Sequence, residues 1–86
     1  MKKHVRIYIK YFGYGEQDII LCEKCGEIAV DVHHIISRKR GGKDVIENLM
    51  GLCRDNHDQA HYKLNPYLEI EELQKIHFQF MEANKK

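Results

Sequence analysis

The pair Cys22-Glu23-Lys24-Cys25 constrains this chain more than any other feature. Two thiols at this spacing sit at the tip of a turn, where both can meet one zinc ion at about 2.3 Å. The constraint bites because the chain is short. At 86 residues it reads as a single domain, 1–86. A chain of that size buries only about 60% of its unfolded surface. Such domains often need a metal or disulfides as a staple. The N-terminus, through Val5 and Arg6, carries charge without the apolar run of a secretory signal. No apolar run approaches the ~18 residues of a membrane span. The expected setting is therefore the reducing cytoplasm, where Cys-x-x-Cys reads as metal ligands before it reads as a disulfide.

Cys53 is the remaining cysteine, and a second knuckle would need another at position 56, where Asn56 stands. Three readings stay open. Zinc binds through Cys22, Cys25, Cys53 and a fourth group that is not cysteine. Alternatively the thiols are buried as small apolar groups. Or Cys22 and Cys25 are redox partners, although no thioredoxin-like pattern surrounds them. Amide oxygen is a poor substitute for thiolate on a borderline-soft ion.

Around the knuckle the hydrophobic pattern predicts an α+β fold. Val5, Ile7, Ile9 and Tyr11 alternate with Arg6, Tyr8 and Lys10, which predicts an N-terminal strand ending at Gly13-Tyr14-Gly15. Val30, Val32, Ile35 and Ile36 mark a bent strand or tight hairpin over 27–36. A polar loop with Gly41-Gly42 follows, then a short return segment from Val45 to Met50. A helix is expected from Leu52 or Arg54 to about Lys63, and a C-terminal helix over about 66–84. Asn65 would cap that last helix, Pro66 would open it, and Glu69, Glu71 and Glu72 would complement its dipole. Leu73, Ile76, Phe80 and Met81 form its packing stripe.

Six histidines are a high density for such a chain. His4 and His77 have no ligand spacing and read as ordinary surface or boundary residues. His33 and His34 are neighbours at the end of an apolar strand, where a bend would let both rings address one cleft. His57 and His61 lie four apart on the expected helix and share a face, the spacing of a divalent-metal clamp. Alone each pair is a weak signal; with Asn48 between them they are stronger.

At this point the sequence resembles a family. Asp31-Val32-His33-His34-Ile35, the basic Gly-Gly loop, Glu47-Asn48-Leu49, Leu52-Cys53-Arg54-Asp55-Asn56-His57 and then His61 are similar, in order, to the HNH endonuclease motif. That motif is the ββα-metal, or His-Me finger, nuclease site. The resemblance covers about 21–62 and is nearest in general character to small phage-encoded members. It implies a ββα-metal core carrying a Cys knuckle, an N-terminal strand and a C-terminal helix. It further implies that His34 is the general base, with Asn48 holding its loop and ring. His33, His57 and His61 would be ligands of one catalytic divalent ion (Mn, Ni, Zn or Mg), and Cys22, Cys25 and Cys53 ligands of a structural zinc. Asn56 departs from the cysteine often found there.

Phosphodiester hydrolysis needs an attacking hydroxide, charge neutralisation at phosphorus and help for the leaving oxygen. A histidine with a pKa near 6.5 can take a proton from water at neutral pH, and a divalent cation covers the other needs. An all-imidazole ligand set favours transition metals over magnesium, which prefers oxygen donors. Net charge supplies no general attraction for nucleic acid, since 14 Lys+Arg meet 13 Asp+Glu. Local charge does: Arg38, Lys39, Arg40 and Lys43 lie in a stretch free of acidic residues from 32 to 43. Lys2, Lys3, Arg6 and Lys10 offer a second basic face. Such contacts position a DNA backbone and carry little sequence information. Neutralising about four phosphates gives a log–log salt slope of roughly −3.6. The expected partner is DNA, with no membrane. A homodimer or a larger phage assembly in the host cytoplasm would suit the family. The rival is a non-catalytic zinc-binding module recognising nucleic acid or protein, which leaves His33, His34, Asn48 and His61 unexplained.

Overall fold

The N-terminal segment departs from the alternation in its sequence: Lys3–Phe12 is a helix, α1, where a strand was expected. The reason lies in what the segment buries. His4, Tyr8 and Ile9 are its buried residues, with Val5 and Phe12 packed beside them. Those positions recur at helical spacing and form one face. A strand would instead place Tyr8 on the side of Arg6 and Lys10. Gly13 closes the helix at φ 75°, a left-handed conformation that costs glycine little. The Tyr14 N–H then bonds the Ile9 carbonyl at 2.9 Å.

The computed structural model describes residues 2–15, 17–61 and 68–84, with the backbone alone at residue 61. Asp31–His34 forms β1 and Leu49–Leu52 forms β2. They pair antiparallel in the register Asp31↔Leu52, Val32↔Gly51, His33↔Met50 and His34↔Leu49. Arg54–His61 follows as α2 and Ile70–Ala83 as α3. Two short 3₁₀ turns, Arg38–Arg40 and Ile46–Asn48, punctuate the loop between the strands. The molecule is thus α+β, with β1, β2 and α2 making a ββα unit. The expected bent strand over 27–36 resolves into two parts: Ile28 pairs with Leu21 across the knuckle, and β1 follows.

The C-terminal helix starts later than expected. Leu68 and Glu69 are not helical, and Leu68 is buried in the core. Burial of Leu68 in an extended approach displaces the helix start to Ile70. Asn65 and Pro66 lie outside the described residues. Among the described residues, no helix is long and apolar enough to cross a membrane.

The hairpin is covered on both faces. One core joins Cys22, Ile35, Met50, Leu52, Cys53, Leu68 and Leu73. The other joins Tyr8, Val32 and Leu49 under α1. Leu49, Met50 and Leu52 are wholly buried; each stabilises the fold by roughly 1.5–3 kcal/mol relative to exposure. Gly51 faces α1, and a side-chain carbon there would lie 3.1 Å from the Tyr8 hydroxyl. Its lack of a side chain lets α1 approach the sheet.

A buried polar network ties these layers together. The Tyr8 hydroxyl donates to Glu23 Oε2 at 2.6 Å, and His77 Nδ1 donates to Glu23 Oε1 at 2.7 Å. His77 Nε2 donates to the Ile46 carbonyl at 2.7 Å. Both ring nitrogens face acceptors, so His77 is an imidazolium. Burial alone would lower its pKa, but the Glu23 hydrogen bond and charge raise it above the ordinary value. Burial and the Glu23 carboxylate push the Tyr8 phenol upward as well. His4 and His77, expected as ordinary surface or boundary residues, are buried, at 6% and 3% exposed. A histidine gives no sign in sequence that a distant carboxylate will neutralise it.

Candidate active site

Successive strand residues point to opposite faces, and the two histidines at the end of β1 do so. His33 turns toward α2, where its ring meets that of His57 edge-on, with centroids 5.4 Å apart. His34 turns toward α1, where its ring lies against His4 with centroids 4.7 Å apart. Both pairs nevertheless line a single cleft of about 360 Å³, together with Lys2, Asp31 and Arg38. The start of α1 thus brings His4 to the cleft, and Lys2 just before the helix joins it; in sequence His4 read as an ordinary surface or boundary residue and Lys2 as part of a second basic face. Burial, and then any charge on His34, lower the His4 pKa from its ordinary value, and the two rings pack against each other.

Asn48 acts as a backbone mimic. Its Oδ1 accepts the Ile36 N–H at 2.8 Å, and its Nδ2 donates to the Ile36 and Lys43 carbonyls at 3.0 Å each. It closes the loop from Ile36 to Lys43 onto the end of the sheet. Gly42 completes that closure, since a side-chain carbon there would fall 1.7 Å from the Ile36 carbonyl oxygen. Asn48 thus bonds the loop backbone, while the hydrogen-bond partner of the His34 ring is another residue.

That residue is Asp44. Its Oδ1 accepts a hydrogen bond from His34 Nε2 at 2.7 Å. It also accepts from Arg38, whose Nη2 lies 3.1 Å from each carboxylate oxygen. The His34 hydrogen bond, and then the Arg38 contacts, hold the Asp44 carboxyl below the usual carboxylate range. Sequence reasoning missed Asp44. Its one signal was position: it is the first acidic residue after the basic stretch that ends at Lys43. Arg38, Lys39, Arg40 and Lys43 are all exposed. Arg38 alone of these lines the cleft.

The knuckle is the second chemical cluster. The Cys22, Cys25 and Cys53 sulfurs all lie within 4.8 Å of one another and could hold a metal ion. Backbone Cys22 N–H to Glu27 and Gly26 N–H to Cys22 bonds shape the turn at 2.6 and 3.0 Å. Burial opposes thiolate formation at Cys22, but surrounding backbone N–H groups bring its pKa down. Cys25 is pushed up to about 11 by desolvation and then by the neighbouring thiols. Asn56 occupies the remaining corner. Its Oδ1 lies 3.3 Å from Cys22 Sγ and 3.2 Å from Cys53 Sγ, while its Nδ2 donates to Gln59 Oε1 at 3.1 Å. Gln59 thus sets the amide with its oxygen toward the sulfurs. The three sulfurs are the candidate metal ligands, and the Asn56 oxygen stands beside two of them.

One element links the clusters. The His57 N–H bonds the Cys53 carbonyl at 2.8 Å, the first turn of α2. Cys53 therefore anchors the helix that presents His57. The side chain of His61, at the end of α2, lies outside the described residues.

Comparison with known proteins adds the following. Residues 21–63 match the family described as HNH endonuclease. The chain is 33% identical over 72 residues to the type IV methyl-directed restriction enzyme EcoKMcrA of Escherichia coli (strain K12). That match covers 64% of this chain and 26% of the relative, so the chain spans about a quarter of that protein's length. No solved structure matches.

Proposed function

Because the chain belongs to the HNH endonuclease family, matched over 21–63, we propose that it is a metal-dependent DNA endonuclease hydrolysing phosphodiester bonds, with 1–86 acting as one domain. The observation that carries this reading is the convergence of His33, His34 and His57 on one cleft. His34 serves as the general base and takes a proton from the attacking water. His33 and His57, joined by His61, would hold one divalent cation. When bound, that ion supplies charge neutralisation at phosphorus and at the leaving oxygen. Asn48 fixes the loop that carries the substrate-facing residues. Arg38, Lys39, Arg40 and Lys43 meet backbone phosphates, with Lys2 beside Arg38 in the cleft.

Cys22, Cys25 and Cys53 would hold a structural zinc with the Asn56 oxygen as the fourth donor. The zinc's role is to fix the start of α2 and so the placement of His57. The setting is the cytoplasm, that of the host for a phage-type member.

The test is cleavage of supercoiled plasmid with Mn²⁺, Ni²⁺ or Mg²⁺ by the wild type and by His34→Ala. Cleavage by the wild type, with Mn²⁺ or Ni²⁺ at least as effective as Mg²⁺, and a loss of about 10²–10⁴-fold in the variant, is expected. Strict Mg²⁺ dependence would overturn the imidazole ligand set. Equal cleavage by the two proteins would remove His34 from the chemistry. An inert wild type would favour the non-catalytic zinc-binding module.

A further inference from the structure

We infer that Asp44 is the positioning residue of the general base: it holds His34 in the tautomer that carries its proton on Nε2 and leaves Nδ1 to accept a proton from water. The inference rests on the endonuclease reading above and names a residue that reading does not require.

The argument is one of donors and acceptors. A carboxylate can only accept hydrogen bonds. The 2.7 Å contact between His34 Nε2 and Asp44 Oδ1 therefore needs the hydrogen on Nε2. A neutral imidazole has only one N–H, so Nδ1 then carries the lone pair. Without a fixed acceptor, the ring would exchange between tautomers, and part of the population would present an N–H where a base is needed.

Asp44 is itself fixed. The Arg38 guanidinium grips it with Nη2 at 3.1 Å from both oxygens and Nε at 3.3 Å from Oδ1. The carboxylate also lies four residues before Asn48, in the loop that Asn48 closes through the Lys43 carbonyl. Loop, carboxylate and base thus form one assembly. His4 also packs against the His34 ring, with centroids 4.7 Å apart, which adds a second contact restraining the ring. Arg38, which lines the cleft, shares its anchor with the base. Phosphate binding and base orientation consequently meet at one carboxylate.

Two measurements test this. The first is nitrogen NMR of the histidine rings in the wild-type protein near pH 8, where an ordinary histidine is neutral. The expected result is a His34 signal of the Nε2–H form, shifting toward a tautomer mixture in Asp44→Ala. A wild-type His34 found in the Nδ1–H form, or already averaged, overturns the inference. The second is cleavage kinetics. Asp44→Ala and Asp44→Asn are expected to lose about 10- to 100-fold in kcat, part of a general base's contribution, with KM nearly unchanged. Asp44→Glu, which keeps the carboxylate, regains part of that loss. Wild-type kcat in both Asp44→Ala and Asp44→Asn would refute the role. A wild type that cuts with none of the three metals defeats the endonuclease reading instead, and the NMR still decides whether Asp44 sets the ring.

Discussion

Among the described residues, two histidine–carboxylate pairs share one length but differ in their surroundings. His34–Asp44 and His77–Glu23 both close at 2.7 Å. The first sits at the cleft, with side chains 15% and 20% exposed; the second is sealed at 3% and 0%. In the second pair the other ring nitrogen is capped by the Ile46 carbonyl, so His77 carries both protons and has no lone pair left to accept another. In the first, the remaining nitrogen belongs to a ring that lines the cleft. The contrast teaches that a carboxylate partner does not make a histidine a base. The fate of its second nitrogen does.

The largest expected effect is on the buried pair. Glu23→Gln leaves a buried imidazolium without its counter-charge, a change of about 3–5 kcal/mol against the fold. That is a large share of the stability of a small domain. Urea unfolding would show it as a shifted midpoint. A shift below about 1 kcal/mol would mean that the two pairs are energetically alike and the comparison fails.

Next comes the open pair. His34→Ala should lose most cleavage while its unfolding free energy stays within about 1–2 kcal/mol of the wild type, the scale of one hydrogen bond. Loss of folding together with activity would make His34 a structural residue like His77.

The pH dependence sharpens the contrast further. The His77 pKa is raised in the folded state. Its contribution is therefore complete below the unfolded value near 6.5 and is lost as pH rises through the higher folded value. Thermal melts should show a decline over that alkaline window in the wild type, absent in His77→Gln. The same decline in both proteins would assign it to another group.

The smallest effect belongs to the exposed loop. Lys39→Ala should leave the fold intact and reduce the log–log salt slope of DNA binding by about 0.9, one phosphate's share. An unchanged slope would leave Lys39 as a solvated surface charge.

Much of this architecture could be read in advance, and the reasons are local. The Cys22–Cys25 knuckle is a short-range pattern, and so is the helical spacing from Arg54 onward. The stripe through Leu73 and Ile76 in α3 follows helical periodicity. Segment 3–12 was harder. Its apolar residues satisfy a period of two and a period of 3.6 at once, and only packing of His4, Tyr8 and Ile9 on the sheet chose the helix.

What the sequence determined by itself is the ordered set of chemical groups: a thiol knuckle, two histidines ending a strand, an asparagine, and a histidine one turn into α2. Tertiary structure decided which of them meet. It set Asp44 against His34, Asn56 against two sulfurs, and His77 against Glu23 across 54 positions of chain. The reason is physical. Hydrophobic periodicity is a one-dimensional signal that a chain carries locally, whereas a hydrogen bond depends on ångström distances between side chains that only the folded backbone brings together.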